Sequence, residues 1–313
     1  MKTKKVLLWI FFYSFLLPGN IFSQKLNFRN GIIYSELIKN PSIPLEENKA
    51  TVNVLFKTPI NNTFPGLQKE MVFDFCIPLD NSTTGGIFFF NQSAGILTRQ
   101  LFLMNFSKDI KFKSNFHINT GLSFGFQDYV LNQEALSQQI INGNTIDPVV
   151  LAYQSKPPTF YNTLGMTIYS SKIDFQVIIP NLSSYVENSN NSTFENKPIY
   201  LGVGYCFPYN PKLSNGINNS IKFQLSYIKN NIYYIEKNTI SIGASMFTTQ
   251  GLMFELFYNT IGTINSGFGI DLSDKCTFNV NYIIGGKNSS NILGSNGQTI
   301  VGLSLKLFKT KTK

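Results

Sequence analysis

Histidine and tryptophan are nearly missing from this chain, with His117 and Trp9 the only ones. A lone histidine leaves any Ser–His or Cys–His catalytic arrangement hanging on one side chain. It also removes the commonest metal ligand. Cysteine is scarce as well. Cys76, Cys206 and Cys276 are widely spaced, an odd count with no CxxC pair. This excludes a closed disulfide framework and a zinc site of the usual spacing. Cys276 falls on the apolar face of its strand and reads as a small hydrophobe. A single Cys76–Cys206 bridge stays open. Charge is low too: 14% of residues are Asp, Glu, Lys or Arg, against about 25% in ordinary soluble domains. The +9 formal charge includes Lys2, Lys4 and Lys5 near the start, and the "FKTKTK" end reads as solvated tail rather than a nucleic-acid arm. No nucleic acid is expected as a partner. No P-loop and no HExxH occurs, and "GFGID" sits inside an alternating strand. No catalytic, cofactor-binding or metal-binding residue is therefore assigned, no cofactor is expected, and the chain does not read as an enzyme. Asn-x-Ser/Thr triplets such as Asn81-Ser82-Thr83 and Asn191-Ser192-Thr193 follow from the abundance of Asn.

Long hydrophobic runs are absent after the first 23 residues, which excludes a transmembrane helix there. The opening is different. Lys2, Lys4 and Lys5 precede the apolar "VLLWIFFYSFLLPG", and "NIFSQ" places the small Ser23 before Gln24. That layout predicts a secretory signal peptide over 1–23. Pro18 and Gly19 interrupt the apolar run, which is short for a spanning helix of about 20 residues. No Cys stands at the cleavage point, so the leader is not of the lipoprotein type.

What the chain does have is period two. "FHINTGLSFGF" (116–126) splits into Phe116, Ile118, Thr120, Leu122, Phe124 and Phe126 on one face and His117, Asn119, Gly121, Ser123 and Gly125 on the other. "SIKFQLSYIK", "TISIGASMF", "LMFELFYN", "INSGFGIDL", "KCTFNVNYI" and "TIVGLSLKLF" alternate in the same way. "ATVNVLFK", "KEMVFDFCIPL", "GIFFFNQ", "RQLFLMNF", "FYNTLGMTIY", "KIDFQVII" and "IYLGVGYCF" do so less cleanly. These segments predict about fourteen strands, many near the ~10 residues that a tilted strand needs to cross a bilayer. The polar faces carry Asp174, Lys222, Glu255, Asp271, Lys275 and Lys306. Connections alternate between short ("SSK", "SDK") and long, the longest being Gln127–Pro158 and Asn181–Pro198.

Short turns at one rim and long loops at the other predict a closed antiparallel transmembrane β-barrel over 49–309, in an all-β protein of the bacterial outer membrane. Lipid forces the closure, because an open edge would leave backbone groups unpaired in hydrocarbon. Residues 24–48 read as a periplasmic N-terminal segment and 310–313 as a periplasmic tail. Tyr129, Tyr169, Tyr185, Tyr200 and Tyr258 are expected in the interfacial girdle. His117 reads as a solvated, lumen-facing side chain. The barrel also admits a channel for small solutes, with Gln127–Pro158 as a plug. A secreted β-sandwich binding module is the remaining alternative.

Several stretches resemble the PorP/SprF family, outer-membrane proteins of the type IX secretion and gliding-motility apparatus of Bacteroidetes. "SQKLNFRNGIIYSELIKNPSI" resembles the family's opening, which runs into an Asn-Pro pair, here Asn40-Pro41. The early hairpins up to "FHINTGLSFGF", the central "KPPTFYNTLGMTIYSSKIDFQVIIPNL", the penultimate "SGFGIDLSDKCTFNVNYIIGG" and the closing "IVGLSLKLF" resemble their family counterparts. The resemblance implies a non-catalytic role: helping an exported surface protein, such as an adhesin with a type IX C-terminal signal, to cross or stay on the outer membrane. It also implies periplasmic partners from the same machine, met by the turns (including "PYNPKLSNGINN") and by the segment Gln24–Lys49.

Overall fold

The computed structural model describes residues 40–42, 49–59, 69–94, 97–112, 116–131, 137, 157–170, 172–182, 199–209, 219–229, 238–248, 250–260, 262–273, 275–285 and 297–309. The predicted leader and most of the two longest loops lie outside them. Alternating side chains make strands rather than helices here, because only the extended chain puts residues i, i+2 and i+4 on one face. The strands are β1 (Lys49–Pro59), β2 (Lys69–Pro78), β3 (Thr83–Ala94), β4 (Leu97–Lys111), β5 (His117–Leu131), β6 (Thr159–Tyr169) and β7 (Ile173–Pro180). They continue as β8 (Ile199–Tyr209), β9 (Asn219–Lys229), β10 (Thr239–Phe247), β11 (Leu252–Asn259), β12 (Thr263–Ser273), β13 (Cys276–Gly285) and β14 (Gly297–Lys309). Each strand pairs antiparallel with its sequence neighbours, and β14 pairs back onto β1, closing a barrel of fourteen strands. This excludes the sandwich, which keeps open edges.

An even number of strands brings the start of β1 and the end of β14 to one rim. That rim also carries the connections 79–82, 112–116, 170–172, 210–218, 248–251 and 274–275. The opposite rim carries 60–68, 95–96, 132–158, 181–198, 230–238, 260–262 and 286–296, and therefore both of the longest loops. The short turns are closed by local bonds. Asp80 Oδ1 accepts from the Ser82 and Thr83 amides at 2.7 Å each. These bonds, the Ser82 amide foremost, hold the exposed Asp80 carboxyl well below the usual carboxylate range. In the 248–251 turn, Gly251 takes φ +76°, a conformation that side chains with a Cβ seldom adopt.

The opening alternation resolves as its sequence suggests. In β5, Leu122, Phe124 and Phe126 are exposed on the outside, whereas Asn119, Gly121, Ser123 and Gly125 are buried inside. The other strands repeat this, with Ile242 and Leu256 both 59% exposed. Outward rings meet across strands, as in Phe106–Phe124 (6.1 Å between centroids) and Phe254–Phe268 (5.4 Å). A belt of outward aliphatic and aromatic residues on a closed barrel suits hydrocarbon, not water.

The inside has two zones. At or beyond mid-strand toward the loop rim, Val72, Phe88, Phe90, Leu101, Leu103, Tyr161, Ile178, Tyr200 and Ile228 form one apolar cluster with Leu55 against it. Toward the termini the inner wall is polar, with Asn119, Thr167, Asp174, Gln176 and Lys222 all buried.

Candidate functional site

The polar zone is where the chain gathers its buried chemistry. β7 begins at the termini rim, so its inward positions Asp174 and Gln176 stand low in the lumen. β9 also begins there and brings Lys222 across from Asp174. The Lys222 ammonium lies 2.7 Å from Asp174 Oδ1. Gly204 on the intervening β8 leaves room for this contact: a Cβ there would stand 2.5 Å from Asp174 Oδ1 and 2.6 Å from Lys222 Cε. Gln176 Nε2 donates to Asp174 Oδ2 at 3.1 Å, which fixes its amide and turns Gln176 Oε1 away from the carboxylate.

That oxygen accepts from a residue outside the strands. Asn40 Nδ2 donates to Gln176 Oε1 at 3.3 Å and to Thr167 Oγ1 at 3.1 Å. Ser42 Oγ lies 2.8 Å from the same threonine oxygen. Asn40 Oδ1 in turn accepts from the Ser42 amide at 3.0 Å and from the Ser42 hydroxyl at 2.6 Å. This is an Asx turn, with Pro41 as its preset middle residue. Asn40, Pro41 and Ser42 are all buried inside the barrel. They are the described part of the 24–48 segment.

Smaller networks flank this centre. At the termini rim, Asp109 accepts from Tyr169 OH and pairs with His117 Nδ1, both at 3.1 Å, and His117 stacks on Tyr169 at 4.8 Å. His117 thus has a carboxylate and a phenol as partners, where a solvated lone residue was expected. Toward the loop rim, Lys57 meets Glu70 at 3.1 Å, with Gln92 Nε2 donating to the same carboxylate at 3.2 Å. Arg99 Nη2 donates to Gln127 Oε1, and its guanidinium lies over the Tyr129 ring.

Three of the expected girdle tyrosines are corrected by these contacts. Tyr129, Tyr169 and Tyr200 point into the lumen, and of the described candidates only Tyr258 faces outward. Tyr185 lies outside the described residues. Lys275 stands exposed in the turn before β13 rather than on an inner face. Cys76, Cys206 and Cys276 are in no disulfide, so the open Cys76–Cys206 pairing is not formed. The string Gly121-Leu122-Ser123-Phe124-Gly125 has the G-x-S-x-G spacing of a nucleophile elbow. It lies in the unbroken strand β5, paired residue for residue with β4 and β6, with no strand-to-helix turn to expose the serine. Among the described residues, no three His, Cys, Asp or Glu side chains gather into a metal site.

A closed barrel with an apolar outer belt and a polar, bonded interior defines an outer-membrane barrel protein. Among solved structures the chain resembles the outer membrane protein Omp33 of Acinetobacter baumannii, at 6% identity and a TM-score of 0.49, covering 83% of this chain and 98% of that one. It also resembles the KdgM porin (11% identity, TM-score 0.39, 82% and 99% covered) and the CymD monoaromatic hydrocarbon channel (9%, 0.45, 88% and 93%). The barrel assignment rests on the strand pairing described above and not on these likenesses. A search of curated proteins found no match. The model of the type IX secretion system membrane protein PorP/SprF family matches residues 23–302, and the chain belongs to that family. Its place is the outer membrane.

Proposed function

We propose that this protein is a non-enzymatic accessory of type IX secretion that helps an exported surface protein, such as an adhesin, to reach or stay on the cell surface. The observation that carries this reading is the family match over 23–302 on a barrel whose two longest connections share one rim. By the usual orientation of outer-membrane barrels, that rim is extracellular. A barrel needs only short connections to close, so long polar loops at one rim suit contact with a partner. Residues 132–158 and 181–198 are the surface offered to the exported protein. The turns at the opposite rim, 210–218 among them, and the segment 24–48 apart from the buried residues 40–42 are the surface offered to periplasmic parts of the machine. The leader over 1–23 belongs to the same reading, and the start of the family match at residue 23 supports it.

The test replaces residues 183–197 by a tight two-residue turn and, separately, shortens 133–156. The barrel should persist in both variants, with its heat-dependent gel shift intact, because every strand pair is kept. The partner protein should be depleted from the surface. Full display of every surface protein by both folded variants contradicts the assignment of these loops.

A further inference from the structure

We infer that the bore of this barrel is sealed, so that neither solute nor polypeptide passes through it and the protein works from its two rims. Width is the starting point. Fourteen strands about 4.8 Å apart and tilted by roughly 40° enclose a bore on the order of 28 Å between opposite backbones. Side chains rooted in the wall fill a barrel of about eight strands but do not meet across one this wide. An open barrel of this size keeps its inward residues wet.

Here the inward positions are dry right round the wall. Leu101 on β4, Ser123 on β5, Ile178 on β7, Ser241 on β10, Asn281 on β13 and Ile300 on β14 are each at most 2% exposed. The strap Asn40–Pro41–Ser42 accounts for only part of this. It lies against Gly121 on β5 and Gly165 on β6, which are opposite in register, and it bonds to Thr167 and Gln176. Ser241, Asn281 and Ile300 belong to strands well away from β5–β7 in the barrel order. Their burial means that the bore is occupied on that side as well.

The seal has two levels in series. Toward the loop rim, the apolar cluster around Phe90 and Leu103 offers no polar group to replace the hydration shell of an ion. Toward the termini rim, Lys222 and Asp174 engage one another at 2.7 Å rather than a passing ion. An exported polypeptide needs a wider way through than a hydrated ion, so a partner protein is handled at the rims. That last step rests on the proposed function, whereas the seal itself does not.

The test reads permeation and thiol reactivity, whereas that of the proposed function is a surface inventory. Liposomes carrying full-length wild-type protein, floated to show insertion, should swell in arabinose no faster than protein-free liposomes. A charged methanethiosulfonate, with its adducts located by peptide mass, then probes the folded protein in lipid nanodiscs. Cys206 is an inward probe already present, 4% exposed on β8. Ser123→Cys adds a second at mid-wall, and Lys111→Cys, exposed at the termini rim, is the reference. Folding of each variant is checked by the heat-dependent gel shift. Cys206 and Ser123→Cys should react at least about a hundred-fold more slowly than Lys111→Cys, because each waits for local opening of the wall. Both should react in full once the protein is denatured. Should Ser123→Cys not fold, Cys206 decides alone. Swelling at the rate of porin-bearing liposomes, or inward thiols that react as fast as the reference, overturns the seal. A sealed barrel whose deletion removes no surface protein overturns the proposed function and leaves the seal standing.

Discussion

Lys222 and Asp174 face each other 2.7 Å apart inside the wall, with their side chains 11% and 7% exposed. Two ions taken out of water stabilise the fold only weakly as a pair, because desolvation offsets most of their attraction. Removing one of them is different, since it leaves the other charged and buried. Lys222→Met should therefore lower stability by about 3 kcal/mol, and adding Asp174→Leu should recover much of the loss. Urea unfolding of the protein in lipid vesicles measures both. If the double variant is as weak as the single, the pair is not the unit that matters. Outward residues answer to lipid instead. Leu256 stands mid-strand on β11, 59% exposed on the outer face. Arg there should cost about 2–4 kcal/mol in the same assay. A neutral result would mean that this face does not meet hydrocarbon. Much at this scale was legible from parity alone. Tyr129 shares the odd numbering of His117, Asn119 and Gly121, so its inward direction was readable even though its aromatic ring suggested the girdle. The partners of His117 were not readable, because Asp109 and Tyr169 come from the two neighbouring strands and meet it only through register.

At the scale of elements, the sequence reads the late strands more sharply than the early ones, for a physical reason. "TISIGASMF" and "LMFELFYN" coincide with β10 and β11 as formed. Their inner faces are largely polar, so alternation stands out. β2, β3 and β4 send Val72, Phe88, Phe90, Leu101 and Leu103 into the internal apolar cluster while Phe73, Ile87 and Phe102 face out. Both faces are greasy there, and the period-two signal fades although the strands are long. β4 and β5 each run 15 residues, beyond the stretches "RQLFLMNF" and "FHINTGLSFGF" that show the alternation. β4 runs on through 107–111, whose polar pairs such as Asp109↔Asn119 and Lys111↔His117 extend the hairpin toward the termini rim, and β5 runs on through 127–131 toward the loop rim. The strap was the element least open to sequence reading. Asn40-Pro41 marks a turn by its residue types, but nothing local says that the turn lies within the barrel. That follows only from the opposed glycines of β5 and β6 and from the acceptors on Thr167 and Gln176.

The whole molecule joins two properties that a sequence of this composition rarely combines otherwise. Its outer surface is apolar enough for a bilayer, and its interior holds buried ion pairs and amides that would be costly in lipid. Closure of β14 onto β1 keeps the two apart. The even strand count then places the start of β1 and the end of β14 at one rim and the connections 132–158 and 181–198 at the other, the arrangement on which the proposed function rests. The most direct measurement is to delete the chain in its native host and compare the surface proteome with that of the complemented strain. The expectation is that one exported surface protein, or a small set, disappears from the surface while its transcript persists, and that it returns on complementation. An unchanged surface proteome together with reduced uptake of a small solute would contradict it and assign the barrel to solute passage.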